Sequence, residues 1–237
     1  MSVPAPAQLM AALEATWPAA ATNDIYGWRL RDSSGAGKRV SAARALVPEA
    51  EVTHAEMAMQ AAGARPLFQL TPDEGALDQA LAARGYARRD PTLLYLAPID
   101  TIAQKPPPVR LFDIWPPLAI MREIWAEGGI GPARQRVMDR APAPKTALIA
   151  RIDDRASGVG FVAIHDGIAM LHAVEVAPRA RRKGVARMLL RGAGAWAQAQ
   201  GAAWMALAVT EANSGACALY ESLGFRVAGR YHYREKE

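Results

Sequence analysis

Arg181-Arg182-Lys183-Gly184-Val185-Ala186 follows the apolar stretch Met170 to Val176 and opens a long helical stretch, Gly184 to Gln200. A strand that enters a helix through small residues leaves the N–H groups of the first helical turn without intrahelical acceptors. The helix dipole adds partial positive charge at the same point. The pattern Arg-x-x-Gly-x-Ala therefore marks an anion site, in which Gly184 admits a phosphate to the backbone and Ala186 keeps the next position small. A basic turn opening an ordinary surface helix explains the same six residues when they stand alone.

One strand later, Trp204 to Val209, comes Asn213-Ser214-Gly215-Ala216-Cys217-Ala218-Leu219-Tyr220-Glu221-Ser222-Leu223-Gly224-Phe225. Asn213 is a good N-cap, Ala216, Leu219 and Leu223 share a face, and Gly224 can end the helix, so a capped amphipathic helix accounts for most of the stretch. Packing does not by itself call for a tyrosine at 220.

Upstream, Trp115 to Ala126 and Pro132 to Arg140 read as helices. Thr146 to Ile152 and Val159 to Ile164 read as strands joined by a turn at Asp153 to Gly158, and Phe225 to Arg234 closes the chain as a strand. Helices alternating with strands after a hairpin imply an α/β fold, a mixed sheet covered on both faces.

The two motifs, in this order and at this separation, resemble the GCN5-related N-acetyltransferase (GNAT) superfamily, whose acetyl-CoA motif is Arg/Gln-x-x-Gly-x-Gly/Ala, over residues 112 to 233. The resemblance implies a GNAT fold, with a central, mostly antiparallel mixed sheet flanked by helices. It also implies acetyl-CoA as co-substrate and a primary amine of a small molecule or a protein N-terminus as acceptor. On the matching positions, the backbone of Ala173-Val174-Glu175-Val176 would bind pantetheine, chiefly at Val174 and Val176. Arg181, Arg182, Lys183, Gly184, Val185 and Ala186 would cradle the pyrophosphate. Asn213 would contact the cofactor or a water, and Tyr220 would be the acid for the departing thiolate.

The general base is less clear from the residues. Some relatives carry a glutamate on the strand before the last helix, where this chain has Ala208. Glu175, on the central strand, is the candidate here, acting directly or through water; a carboxylate satisfied by the basic cluster is the other reading. His172, earlier on that strand, is a lesser candidate, because a histidine beside an apolar strand is more often packed.

The 237 residues, 51% hydrophobic and 22% charged, suffice for a sizeable core in one large or two small domains. No apolar run reaches the ~18 residues of a membrane span, and Met1-Ser2-Val3-Pro4 lacks a basic region before an apolar core; a cytoplasmic protein without a membrane partner is expected. The single cysteine, Cys217, excludes an internal disulfide and a thiolate metal cluster, so it reads as a packing residue.

Net charge is +5, with −1 on residues 1–105 and +6 on the rest. Arg179, Arg181, Arg182, Lys183, Arg187 and Arg191 lie between Glu175 and Glu211 with no acid among them. The cluster surrounds the phosphate turn and has no interleaved aromatics, which favours a polyphosphate cofactor over nucleic acid.

Lys105-Pro106-Pro107-Pro108 stiffens a connector from Ala97 to Val109. The expected division is a domain at 1–105 and a catalytic acetyl-CoA-binding domain at 106–237. The first half repeats part of the second: Leu67 to Thr71, the helix Leu77 to Leu81 and Arg84-Gly85-Tyr86 match Ala206 to Thr210, the last helix and Leu223-Gly224-Phe225 at a constant offset of 139. Pro91 to Leu96 then corresponds to Arg230 to Arg234, and Tyr26 to Leu30, Gly35 to Lys38 and Arg39 to Ala45 suggest an earlier hairpin. A tandem protein with a degenerate N-terminal GNAT-like copy is the expectation, against coincidence of short strand–helix units. Leu81 stands in place of Tyr220 and Glu74 in place of Asn213. Gln60-Ala61-Ala62-Gly63-Ala64-Arg65 puts a bulky residue at the small position.

Two further function classes stay open beside the enzyme. A non-catalytic acyl-CoA sensor would bind the cofactor without turnover, and a nucleic-acid binder would use the basic helix. The acceptor and the oligomeric state, monomer or homodimer, have no readable motif.

Overall fold

The alternation of apolar strands and amphipathic stretches is carried through in the computed structural model, which describes residues 2–236. In chain order the elements are α1 (Pro6–Thr16), β1 (Ala21–Ile25), β2 (Trp28–Asp32), β3 (Arg44–Ala45), α2 (Val52–Ala61), β4 (Leu67–Leu70), α3 (Gly75–Ala83), β5 (Ala87–Pro98), α4 (Ile99–Ile102), β6 (Leu111–Ile114), α5 (Ala119–Glu127), α6 (Pro132–Arg140), β7 (Lys145–Ile152), β8 (Arg155–His165), β9 (Ile168–Val176), α7 (Val185–Ala199), β10 (Trp204–Thr210), α8 (Ser214–Ser222) and β11 (Arg226–Glu235). They gather into two compact units. One comprises Met1–Pro18, Leu94–Val209 and Asn213–Gly229, the other Ala19–Leu93, Thr210–Ala212 and Arg230–Glu237.

The first unit is built on the strand order β6-β7-β8-β9-β10. The first three neighbouring pairs are antiparallel, whereas β9 and β10 are parallel because α7 carries the chain back between them. Val185, Leu189, Leu190, Ala193 and Ala197 form the buried stripe of α7, at the spacing that a helix requires to face a sheet. Two glycines set how deeply the helix seats. A Cβ at Gly192 would overlap the Leu111 side chain, and one at Gly194 would come within 3.0 Å of the Ala103 nitrogen. Helix α1 lies against β8 and β9 in the same unit, where Thr16 and Trp17 meet His172.

The second unit pairs β1, β2 and β3 in one antiparallel sheet and β4 with the end of β11, His232 opposite Leu70 and Glu235 opposite Leu67. Its core gathers Trp28, Val52, Met59, Phe68, Leu70, Leu81 and Tyr86, with Phe68 edge-on to both Trp28 and Tyr86 at 5.2 Å. Asp78 on α3 binds Arg234 of β11 through two oxygens and accepts or shares a proton with His232 at 2.6 Å.

Several sequence expectations shift. The first hairpin turns at Tyr26-Gly27, not after Leu30, because both residues adopt positive φ (50° and 78°), the geometry of a two-residue hairpin turn. The helix expected at Trp115 starts only at Ala119, since Pro116 and Pro117 block the helical conformation before them. The connector is not irregular from Ala97: β5 runs to Pro98 and α4 follows, with Ile99 and Ile102 buried. By compactness, α1 clusters with residues 94–209 and the chain end from Arg230 with residues 19–93.

The Arg234 guanidinium holds the Asp78 carboxyl down at about 2, against the opposing effect of burial, with His232 adding to it. A carboxyl lowered on folding stabilises the protein above its unfolded value and loses that contribution as pH falls through the folded value. Asp78→Asn should therefore cost about 1–2 kcal/mol at pH 7, with the difference from wild type closing between pH ~4 and ~2. Urea unfolding across that range measures it.

Candidate functional site

The parallel ladder between β9 and β10 covers Ile168–Leu171 against Trp204–Leu207 and stops there, although β9 continues to Val176 and β10 to Thr210. On its other side β9 stays paired with β8 to the end, through a register shift in which Phe161 faces His172 and Val159 faces Glu175. The extra residues on β9 are Ala173 and Val174, and Ala173 has a φ of 50°. Such a bulge bends its strand and sharpens the local twist. The second half of β9, Ala173-Val174-Glu175-Val176, thus presents an edge to a wedge-shaped gap. Trp125 of α5 donates its indole N–H to the Ala173 carbonyl at 2.8 Å, which satisfies the group the bulge displaces.

Downstream of the bulge the chain reaches the turn. Gly184 caps α7 in the left-handed conformation, φ 80°, and a Cβ there would meet nothing within 4 Å, so the position is open to a ligand. Arg182 also has positive φ, 64°. Val185, Ala186 and Arg187 supply the first-turn N–H groups. Val185 is buried, and Gly158 of β8 makes room for it: a Cβ at 158 would lie 2.6 Å from Val185 Cγ1 and 3.0 Å from the Glu175 carbonyl.

The basic residues of the turn are partly anchored. Arg179 donates to Ala156 O at 2.7 Å and Arg181 to Val176 O at 3.3 Å, while Arg187 reaches Ser222 Oγ of α8 at 2.9 Å. Beside the turn lies a cleft of about 280 Å³ with Lys105, Pro106 and Pro107 on one side and Gly184, Arg187 and Arg191 on the other. Lys105, Pro106 and Pro107, which the sequence reading assigned only to a linker, thus line a cleft beside the turn. Arg191 hydrogen-bonds Gln104, which fixes that wall.

Glu175 pairs with Arg181 at 3.5 Å and keeps a fifth of its side chain exposed. Glu175 is thus paired with the basic cluster and partly accessible. Gly128, at the end of α5, packs so closely on it that a Cβ would overlap the carboxylate-bearing carbons. His172 is 3% exposed, contacts Thr16 Oγ1 at 2.8 Å and stacks on Phe161, so it is a packed histidine.

Asn213 caps α8, its Oδ1 accepting from Ala216 N at 3.1 Å. Tyr220 is buried, with its ring edge-on to Tyr95 and Phe225. Burial, with Cys217 adding to it, pushes its phenol up to about 12. Tyr95 was not singled out in the sequence. Its hydroxyl donates to Glu221 at 2.8 Å, and burial raises its phenol well above the usual range. The contact from Arg187 to Ser222 ties the turn's helix to the helix of Tyr220. Among the described residues no group of three or more His, Cys, Asp or Glu could hold a metal ion, and no helix is long and apolar enough to cross a membrane.

Comparison with known proteins agrees with this geometry. Residues 111–225 match the model of the Acetyltransferase (GNAT) family. It is similar to the uncharacterized N-acetyltransferase YobR of Bacillus subtilis (strain 168), 29% identical over 234 residues that span 94% of this chain and 95% of the relative. Its fold is similar to that of a GCN5-related N-acetyltransferase from Kribbella flavida, with a TM-score of 0.73 at 17% identity over 99% of this chain and 96% of the other. A tandem GNAT protein from the clavulanic acid biosynthesis pathway superposes with a TM-score of 0.61 at 15% identity over 87% and 76% of the two chains. The architecture is a mixed α/β GNAT fold.

Gly128→Ala should displace the Glu175 side chain and break its contact with Arg181, because the clash falls on a flexible side chain. The stability cost should stay under about 1 kcal/mol, since losing a glycine also restricts the unfolded chain. A crystal structure of the variant and its urea midpoint check both halves.

Proposed function

We propose that the protein is an acetyl-CoA-dependent N-acetyltransferase that transfers acetyl to a primary amine by direct attack in a ternary complex. The observation that carries this reading is the wedge between β9 and β10 closing onto a left-handed glycine turn at a helix N-terminus. An extended arm fits along the open β9 edge, and a pyrophosphate fits where the Gly184 to Arg187 N–H groups converge. Val174 and Val176 would take the pantetheine amides, and Arg181, Arg182 and Lys183 would supply cationic charge. Lys105, Arg187 and Arg191 would meet the remaining phosphate in the cleft beside the turn.

In such a complex the amine nitrogen attacks the thioester carbonyl, N–C forms, C–S breaks, and the thiolate leaves as the amine loses a proton. Glu175 would receive that proton directly or through water. Tyr220 would donate a hydrogen bond to the departing sulfur. With its phenol up at about 12 and an ordinary thiol near about 8.5, full proton transfer is uphill. Its larger contribution is therefore to stabilise developing charge on sulfur. Asn213, spent on capping α8, would serve mainly to hold that helix in place.

We read the first half as a degenerate copy, with residues 1–105 and 106–237 as the ancestral halves. In support, β4, α3 and β5 follow the same order as β10, α8 and β11, each helix ending in Gly and an aromatic, Gly85-Tyr86 and Gly224-Phe225. At the place of Tyr220 stands Leu81, fully buried. At the place of Asn213 stands Glu74, which caps the turn through Thr71 N at 2.7 Å. The copy has kept the packing and lost the chemistry.

Gly184→Glu should abolish acetyl-CoA binding in calorimetry, because a carboxylate and its bulk would occupy the phosphate position. Equal affinity in wild type and variant would overturn the cofactor assignment. Tyr220→Phe should lower kcat by about 10²-fold with little change in cofactor affinity, as for the loss of one donor at the transition state. Thiol release from acetyl-CoA across a panel of amines reads it out. A chain that binds acetyl-CoA yet turns over none of the panel would be a sensor instead.

A further inference from the structure

Strands β3 and β4 of the second unit meet through an isolated parallel bridge, Ala43 opposite Phe68. Ala43 N–H donates to Leu67 O at 2.8 Å, and Gln69 N–H donates to Ala43 O at 2.9 Å. The offset of 139 that carries β4 onto β10 places Phe68 on Leu207. Leu207 is where the β9–β10 ladder ends, opposite Leu171. The two parallel contacts therefore stop at the same place. A continuing ladder would next send Thr71 N–H to Ala45 O. That N–H goes instead to Glu74 Oε2 at 2.7 Å, and the Thr71 hydroxyl donates to the same oxygen at 2.8 Å. Glu74 thus draws the end of β4 away from β3. By the two-residue strand period, the backbone of Ala45 faces the same way as that of Ala43, towards the gap. Leu46 N–H turns to the other side and donates to Gly27 O at 2.8 Å.

The gap is a cavity of about 290 Å³, with Leu46 and Val47 walling one side, Leu77 the other, and Arg44, Asp73 and Glu74 supplying its charges. Leu46 and Val47 are 46% and 45% exposed, apolar surface that a ligand would cover. The volume lies close to the lower end of the roughly 300–1,000 Å³ of small-ligand clefts, which excludes a folded partner. A polyphosphate does not fit the charges. Where the turn before α7 has Arg181, Arg182, Lys183 and Gly184, the approach to α2 has Glu49 and, at the N-cap, Glu51. Their carboxylates hold the positive end of that helix and repel an anion. In the cavity itself two acids stand against one guanidinium, which leaves one formal negative charge.

We propose that the cavity between β3 and β4 binds the amino-terminal end of a short peptide. An extended peptide backbone adds to the edge at Ala45 as a further strand would, and Leu46, Val47 and Leu77 take its small apolar side chains. Its α-ammonium supplies the one positive charge that Asp73 and Glu74 leave unmatched by Arg44. The site lies within the second unit and stands independently of the acetyl-transfer reading.

The test is an amide-resolved NMR titration of the full chain with trialanine amide, its N-acetylated form, pantetheine and acetyl-CoA. Trialanine amide should shift the backbone signals of Ala45, Leu46, Asp73 and Leu77 saturably. N-acetylation removes the ammonium and should weaken binding about 10-fold, as for a lost hydrogen bond between charged groups. Asp73→Asn should weaken trialanine amide about 2–5-fold, as for an exposed charge pair, and leave the acetylated form unchanged. Ala76→Trp, at an exposed position of α3 that lines the cavity, fills it and should abolish the shifts. Asp73→Asn carries the comparison if circular dichroism shows that Ala76→Trp does not fold. The proposal is overturned if trialanine amide shifts none of these signals, or if the acetylated form binds equally well. It is equally overturned if the folded variants bind as the wild type does, or if pantetheine or acetyl-CoA shifts these signals and the tripeptide does not.

Discussion

The candidate site depends on a parallel ladder that stops after four residue pairs. Had β9 and β10 remained paired to their ends, the β9 edge from His172 to Val176 would be consumed by hydrogen bonds and no extended ligand could lie along it. The bulge at Ala173 and Val174 ends the pairing, and the indole of Trp125 satisfies the carbonyl that it turns aside. An unsatisfied backbone carbonyl in that position would cost about as much as one lost hydrogen bond. The gap is therefore a fixed feature of the strand, present before any ligand arrives.

The same geometry depends on how closely α7 seats against its surroundings. Gly158, Gly192 and Gly194 each remove a Cβ that would collide with Val185, Leu111 or the Ala103 backbone. A helix held one methyl further out would move its N-terminus and shift the convergence of its first-turn N–H groups. These glycines act on the ligand site through packing. Gly184 differs from them: it has empty space around it, and its left-handed φ is what favours glycine there.

The parts of this arrangement legible in the sequence were those encoded locally. The turn at 181–186 was readable because a strand, a glycine and a helix occur in immediate succession, and the cap at Asn213 because asparagine at a helix start has one dominant use. The bulge was not readable, since nothing about Ala173 or Val174 as residue types distinguishes a bulge from a regular strand. Helix α1 was missed because Pro4, Pro6 and Pro18 flank it and suggest irregular chain, although Pro6 occupies the first helical position, where proline costs nothing. The connector was read from its prolines alone, which hid Ile99 and Ile102 packing as a helical turn and Lys105 forming a wall of the basic cleft.

The two units differ in what their charges do. In the first unit the basic residues near the turn are exposed and partly anchored to carbonyl groups, a surface that can wait for a polyphosphate at little cost. In the second, Lys38 meets two acids, Asp90 and Glu235, and Arg234 holds Asp78, so these charges are spent on contacts within the unit itself.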